Sequence, residues 1–550
     1  MTTDVRARAD GRRSHASPAA SGRGSGGRRR RRKPRSRAGR FFKWTGGILA
    51  VVVLLGAGGA YAYYRHLNGN LQHNAGDLTL GDTPMHKSKA NAAGQTPLNI
   101  LLIGNDSRAG KENVKLGGSA ADAARKPLAD VEMLLHVSAD RSNASVLSIP
   151  RDTRVDIPEC KDGKTGQKYP AGSAPINTSL QHGGPGCTVA TWYKLTGIPI
   201  DHYMMVDFSG VVDMADAVGG VPVCVKSNVH DPDSHLRLTK GTHTIQGVTA
   251  LEWLRTRHGF EDGSDIGRTH AQHMYLNALL RKMKSDSTMG SPSKLTSLAE
   301  QATKKVSVDK GIDSIGRLYS LGTTLKKVDL DRMTMLTMPW APDPQDPQAH
   351  VVPTSDAKQL FAMVRNDVPL DKNGKPKKAG STSSSGASPA GSGSAAGGGA
   401  TSGSSSGASA SAADTSSIAV SVQNASLTPG RAKSLTQGLV KQGFGKAVNG
   451  GNAPTQGSDT STELVYPTGN TQAKADATAV AGALRIPTSA VKAASDVRQV
   501  TLRVGADWPS GDDYSSALPK AGSVPKSASA QSADDSTACM TVNTAGGYTF

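Results

Sequence analysis

Apolar positions fall along this 550-residue chain in three regimes, each predicting a different kind of segment. The first is one unbroken run. Trp44 to Tyr64, WTGGILAVVVLLGAGGAYAYY, is 21 residues without a charge, close to the roughly 20 that a helix needs to cross a bilayer's hydrocarbon. Trp44 at one end and Tyr61, Tyr63 and Tyr64 at the other supply rings that favour a membrane interface. In the second regime, strand-length runs alternate with helical patterns: LNILLIG (98–104), MLLHVS (133–138), ASVLSIP (144–150) and VPVCV (221–225), then RTHAQHMYLNALLRKMK (268–284). This predicts an α/β domain over residues 98–370, a mixed central sheet flanked by helices. The segment 417–507 repeats the regime as IAVSVQNAS, AKSLTQGLVKQGF, TELVYP, AKADATAVAGAL and VRQVTLRVG, a β-α-β-α-β order that suits a small α/β domain. The third regime has no apolar period. It covers a polar stalk at 65–97, a linker at 371–416 that is almost pure Ser, Gly and Ala from 379, and a tail at 508–550 read as mostly disordered.

Charge sharpens the N-terminal reading. The formal net charge is +19, and residues 1–40 hold 14 basic and 2 acidic residues, a surplus of 12. Positive charge thus sits in a tail, residues 1–43, and is not spread over a folded face, which disfavours nucleic acid as a partner. Arg28 to Arg32, Arg40 and Lys43 precede the apolar run while only Arg65 closely follows it, so the N-terminus is expected in the cytoplasm and the rest outside the cell membrane. A cleaved signal peptide is the alternative, against which the run is long. Cys160, Cys187, Cys224 and Cys539 all fall on the expected outer side, where disulfides persist, and their spacing fits no zinc motif. Cys160 and Cys187 flank a Gly/Pro-rich loop and are the expected bridge; free buried thiols are the alternative.

Several polar residues stand where apolar strands end. Asp106 follows LNILLIG within Asn105-Asp106-Ser107, and Asp130 immediately precedes the next strand pattern. Carboxylates at neighbouring strand ends could hold Mg2+, which takes one or two carboxylates and completes its shell with water and phosphate oxygens, although Asn-Asp-Ser would also make a plain Asx turn. Arg151 and Asp152 follow LSIP, where a surface ion pair is the simpler account. Arg255 and Arg257, two apart in WLRTRH, would project to one side of an extended chain and invite an anion between them; a solvated strand face is the rival. Arg268 and Gln272 share a helix face just after Asp265, and the apolar stripe Ala271, Met274, Tyr275, Ala278, Leu279 and Met283 reads as core before it reads as a lipid pocket.

The ordered set NILLIGNDSR (99–108), LADVEMLLHVS (128–138), LSIPRDTRVDIP (147–158), INTSLQHGGP (176–185), LTGIPIDHYMMVDFSGVVDMADAVGGVPV (195–223) and GVTALEWLRTRHG with DIGR (247–268) resembles the LytR-CpsA-Psr family. The segment 417–507 is similar to the LytR C-terminal domain that often follows it in actinobacteria. The resemblance implies a phosphotransferase that moves a glycopolymer from a polyprenyl-pyrophosphate carrier to peptidoglycan through a phosphodiester, with a long apolar pocket for the isoprenoid. Carried over by position, Asp106 and Asp130 would hold Mg2+, Arg151, Arg255, Arg257, Arg268 and Gln272 would grip the pyrophosphate, and Asp265 would support them as part of the catalytic set. Two departures stand out. Leu128 occupies a position where the family usually has Arg, and Ala271-Gln272-His273 replaces Arg-Gln-Gln. The alternatives are a hydrolase of the same pyrophosphate lipid, or a membrane-tethered polymer-binding or regulatory protein without catalysis.

Overall fold

A computed structural model describes residues 37–550 except 74–78, 81–82, 86–87, 89, 92–93, 108–124, 164, 286–290, 375–414, 458–459, 487–489, 509, 515–519 and 546. The tail assigned to 1–43 therefore lies outside the described residues up to position 36, as does most of the 371–416 linker. The chain divides into a unit ending at Tyr63 and a second unit, Tyr64–Phe550. In the first, the helix Arg37–Asn70 begins; its stretch Ile48–Asn70 is long and apolar enough to cross a membrane.

The second unit is built on an eight-stranded mixed sheet in the order Gln72–His73, Val306–Val308, His202–Val206, Leu98–Asn105, Ala129–Val137, Ala144–Ile149, Met333–Thr337, Gln531–Ser532. Leu98–Asn105 pairs antiparallel with Ala129–Val137 and parallel with His202–Val206. Its near-continuous apolar run is what a central strand covered on both faces requires. Alternation sends Leu101 and Ile103 to one core with Leu147, Trp192 and Phe361, and Ile100 and Leu102 to the other with Met133, Val146 and Leu276. Between Gly104 and Asn105 the register slips, and a Cβ on Gly104 would come within 3.0 Å of Val131 Cβ, so the close approach there depends on glycine. The slip lies one residue before Asp106. The second domain is a five-stranded sheet, Lys446–Asn452, Ala419–Asn424, Val500–Val504, Glu463–Pro467 and Val491–Ala494, with the helices Arg431–Lys441 and Thr471–Ala483 on its core.

Four expectations need correction. The 65–97 stalk is partly built into the fold, since Leu67 and Leu71 are buried and Gln72–His73 adds to the sheet beside Val306–Val308. The small domain has two strands more than the β-α-β-α-β reading, both at its sheet edges, one of them the Gly/Asn-rich KAVNGGN. The stretch around Arg255 and Arg257 is not an extended strand, because Gly247–Arg255 is a helix. Largest in extent, 508–550 is not a disordered tail: Trp508 and Tyr514 complete the small domain's core, Gln531–Ser532 extends the central sheet, and Met540 and Val542 are buried beside Trp253 and Phe260. Its order comes from backbone pairing and a disulfide, which leave no hydrophobic period to read.

Candidate functional site

One edge of the central sheet collects the strand ends that carry polar residues. Pairing of Asn105 with Ala129 and of Glu132 with Ile149 puts Asp106, Asp130 and Arg151 on three neighbouring strand ends. The helix Asp265–Lys284 points its N-terminus here. Ser264 caps it by accepting from the Ile266 N–H, and Asp265 lies in its first turn, where a negative charge is favoured by the helix dipole.

These residues form one charge network. Arg151 donates to Asp130 Oδ1 at 2.8 Å and lies 3.5 Å from Asp265 and 3.6 Å from Asp152. Arg268 reaches Asp265 at 2.6 Å and donates to the Asp130 carbonyl at 3.3 Å. Burial works against the charge on Arg151, but Asp130, Asp265 and Asp152 outweigh it and hold the guanidinium above its usual range. For Arg268, burial and the nearby Arg151 win over Asp265, and its pKa falls. Asp152 rises through burial and the neighbouring Asp265, against the pull of Arg151, Arg268 and Arg257. The Nε atoms of Arg257 and Arg268 are buried and have no hydrogen-bond partner among the described residues. The same holds for Arg151 Nε and for both Asp265 carboxylate oxygens, so the charges of the cluster are paired while several of its donors and acceptors are not used in hydrogen bonds among the described residues.

The network opens into a cavity of about 290 Å³ between the sheet and the helices Phe208–Ala217, Gly247–Arg255 and Asp265–Lys284. Leu102, Met133, Met204, Val211, Tyr275 and Leu279 are among its apolar walls, while Asp130, Arg255, Arg268 and Gln272 also border it. Arg255 lies over the Phe208 ring, 5.3 Å from its centroid, and Gln272 donates to the Leu254 carbonyl at 3.2 Å. The helix stripe is therefore shared: Ala271, Tyr275 and Ala278 belong to the core around Trp253, with Leu279 packed against it, and Tyr275 and Leu279 also border the cavity. Ala271 is fully buried there, and its carbonyl accepts from the Trp253 indole.

Asp106 accepts the Leu128 N–H at 2.6 Å and is ion-paired with Arg125. Arg125 was not singled out in the sequence; it lies three residues before the position where Leu128 replaces the family's arginine, and it brings a guanidinium to the same aspartate. Among the described residues no group of three or more His, Cys, Asp or Glu is placed to hold a metal. Two carboxylates on adjacent strand ends, each already matched to an arginine, do not make an all-protein cage. They fit magnesium arriving with phosphate oxygens and water.

Two buried ionisable groups underlie the cluster. Glu132 accepts from the Trp192 indole, and burial pushes its carboxyl well above the ordinary range despite that bond, which favours the neutral form. His273 pairs with Ser148 Oγ at 2.6 Å and is pushed down to about 3 by burial, so it is uncharged. The cysteines pair as Cys160–Cys187 and Cys224–Cys539.

The LytR_cpsA_psr family model matches residues 64–366, and a second, described as LytR cell envelope-related transcriptional attenuator, matches 417–508. The chain is similar to the cell wall biosynthesis protein LcpA of Corynebacterium glutamicum, 27% identical over 426 residues, 74% of this chain and 76% of that protein. It is also similar to TagT of Bacillus subtilis, named a polyisoprenyl-teichoic acid–peptidoglycan teichoic acid transferase, 30% identical over 309 residues, 55% of this chain and 88% of TagT. Among solved structures, a LytR-Csp2A-Psr enzyme from Actinomyces oris aligns with 54% of this chain and 96% of its own at 20% identity and a TM-score of 0.40. With a family model spanning more than half of its residues, the chain belongs to the LytR-CpsA-Psr family.

Proposed function

We propose that this protein is a transferase that moves a cell-wall glycopolymer from a polyprenyl-pyrophosphate carrier onto peptidoglycan. The observation that carries this reading is one cavity that joins apolar walls to Arg and Asp side chains at its border, the polarity of an isoprenoid diphosphate. Its relatives' names support the substrate class. The basic flank and the disulfides support a cytoplasmic N-terminus with the catalytic domain outside the membrane.

Arg255 and Arg268 at the rim, with Arg151 and Arg257 beside them, bind and orient the diphosphate through charge-assisted donors that match its oxygens. The apolar walls hold the isoprenoid and keep water from the sugar-proximal phosphorus. Asp265 pairs with Arg268 and Arg151 and keeps both guanidiniums in place until the oxygens of the diphosphate replace it. A peptidoglycan hydroxyl then attacks the phosphorus in line; its O–P bond forms as the bond to polyprenyl phosphate breaks, and the hydroxyl proton passes to solvent. Asp106 and Asp130 would hold Mg2+, which supplies charge neutralisation on the phosphates when bound. The arginines place positive charge where negative charge builds.

Lipid-linked labelled polymer incubated with peptidoglycan fragments tests the reading. Arg255→Ala and Arg257→Ala should each lower transfer by about ten- to a hundredfold, and chelator should stop it. Wild-type turnover in both variants would overturn the assignment; labelled polymer released free instead of wall-bound would make water the acceptor.

A further inference from the structure

The loop 256–264 connects the helix bearing Arg255 to the helix opened by Asp265, and carries Arg257. It has little regular structure of its own. Glu261 and Gly263 sit at positive φ, 49° and 79°. Three of its backbone groups find their partners in the last residues of the chain. The Glu261 N–H donates to the Thr541 carbonyl at 3.0 Å, the Gly259 carbonyl accepts from the Asn543 N–H at 3.0 Å, and the His258 carbonyl accepts from Asn543 Nδ2 at 3.0 Å. Phe260 pairs with Val542, and Phe260 packs on Trp253 with ring centroids 4.9 Å apart. The strand is itself anchored. Met540 exchanges backbone bonds with Cys224 and Lys226, Cys539 is bridged to Cys224, and Met540 and Val542 are buried.

We infer that residues 539–543 are a positioning strap for the diphosphate site, and that Asn543 holds Arg257 and Asp265 in register through the backbone of the loop between them. This rests on the transferase reading for its substrate, but the geometry is independent of it. A loop with three polar backbone groups satisfied only by another segment samples other conformations once that segment is released. Arg257 and Asp265 lie at its two ends, so its disorder spreads directly into the network with Asp152, Arg151 and Arg268. The side-chain amide of Asn543 is oriented by both of its bonds, since Oδ1 accepts from the Ala545 N–H at 3.0 Å while Nδ2 donates to His258.

That division of labour provides a clean substitution. Asn543→Asp keeps the acceptor for Ala545 and replaces the donor to His258 by a second acceptor. Three measurements are made on the full chain and the variant: hydrogen exchange at 258–263, calorimetric affinity for inorganic pyrophosphate, and KM and kcat for lipid-linked polymer. The expected result is faster exchange confined to the loop, about tenfold weaker pyrophosphate binding and a KM raised by a similar factor, with the melting transition in place. A purely structural role would shift melting and the active fraction without moving the affinity of the folded molecules. Cys539→Ser should also speed exchange in the loop, but because it opens a bridge with a sequence separation of 315 it lowers the melting transition as well, so Asn543→Asp is the deciding variant. Loop exchange and pyrophosphate affinity equal to wild type would overturn the inference. A wild-type chain that binds pyrophosphate without transferring polymer would instead defeat the transferase reading and leave the strap tested.

Discussion

Replacing Asp265 by Asn removes a negative charge from between two guanidiniums and leaves the side-chain shape almost unchanged. The carboxylate stands 2.6 Å from Arg268 and 3.5 Å from Arg151, and Asp265 and Arg268 are only 9% and 7% exposed. Both side chains are largely withdrawn from solvent, so the cost approaches that of breaking a buried pair from one side, about 3–5 kcal/mol. The Asp130 carbonyl still accepts from Arg268, and Asp152 still faces the cluster, which places the expected loss near the lower end. Urea unfolding followed by the fluorescence of the buried Trp192 and Trp253 reads it as a lower midpoint at unchanged slope. The same variant should bind inorganic pyrophosphate more tightly than wild type, because the anion meets arginines with one competitor fewer. At a fixed saturating concentration, each tenfold gain in affinity adds about 1.4 kcal/mol of ligand-dependent stabilisation. Pyrophosphate should therefore recover more of the midpoint in the variant than it adds to the wild type. A variant as stable as wild type, or one that pyrophosphate stabilises less, would refute the view that Asp265 keeps the place of a bound anion.

Three further outcomes follow from the buried groups and the bridges. His273, pushed down to about 3 from 6.5, is uncharged when folded and protonated when unfolded between those values, so its contribution is present above about pH 6.5 and lost as pH falls toward 3; His273→Gln, which can still bond Ser148, should show a smaller loss of unfolding free energy between pH 7 and pH 4.5. Glu132 runs the other way, its raised pKa costing stability as pH rises above 4.5, so Glu132→Gln should be stabilising relative to wild type at pH 7 and neutral at pH 4 in the same measurement. The Cys160–Cys187 bridge spans 27 residues, and loop-closure entropy puts the loss on replacing both by Ser at about 3.5 kcal/mol, read by urea unfolding.

What the sequence made legible, and what it hid, separates along physical lines. Asp106, Asp130 and Arg151 could be found because strand runs announce their own ends, and topology then brings neighbouring ends together. Arg268 and Gln272 could be placed on one face by helical spacing, and both border the cavity. Arg255 was recognised by type but given the wrong local structure, since WLRTRH reads as easily as a strand as it does as the last turn of a helix followed by a loop. Arg125 carried no signal: its guanidinium reaches Asp106 across a stretch without a pattern, and only the fold brings them together. The terminal strap was hidden for a related reason. Its contacts are backbone groups, a cystine and two buried side chains within a run of Ser, Thr, Gly and Asp, so it contributes order without periodicity.

The charge balance of the cluster constrains how the proposed reactants bind. Asp106 and Asp130 are each paired with an arginine, and Arg151 and Arg268 are each paired with an aspartate. A diphosphate entering alone would take arginines from carboxylates and leave those carboxylates bare; a divalent cation entering alone would do the reverse to the arginines. Entering together, they exchange partners: carboxylates turn to the cation and guanidiniums to phosphate, and no buried charge is left uncompensated. Since an uncompensated buried charge is the costly state, magnesium and pyrophosphate should bind with positive coupling, each strengthening the other by the same factor, which for a coupling of 1–3 kcal/mol is about 5- to 150-fold. Calorimetric titration of each in the absence and presence of the other, corrected for their complex in solution, measures it. Independent binding would mean that the aspartates serve only to hold the arginines, and Asp106→Asn would then leave pyrophosphate affinity unchanged at every magnesium concentration.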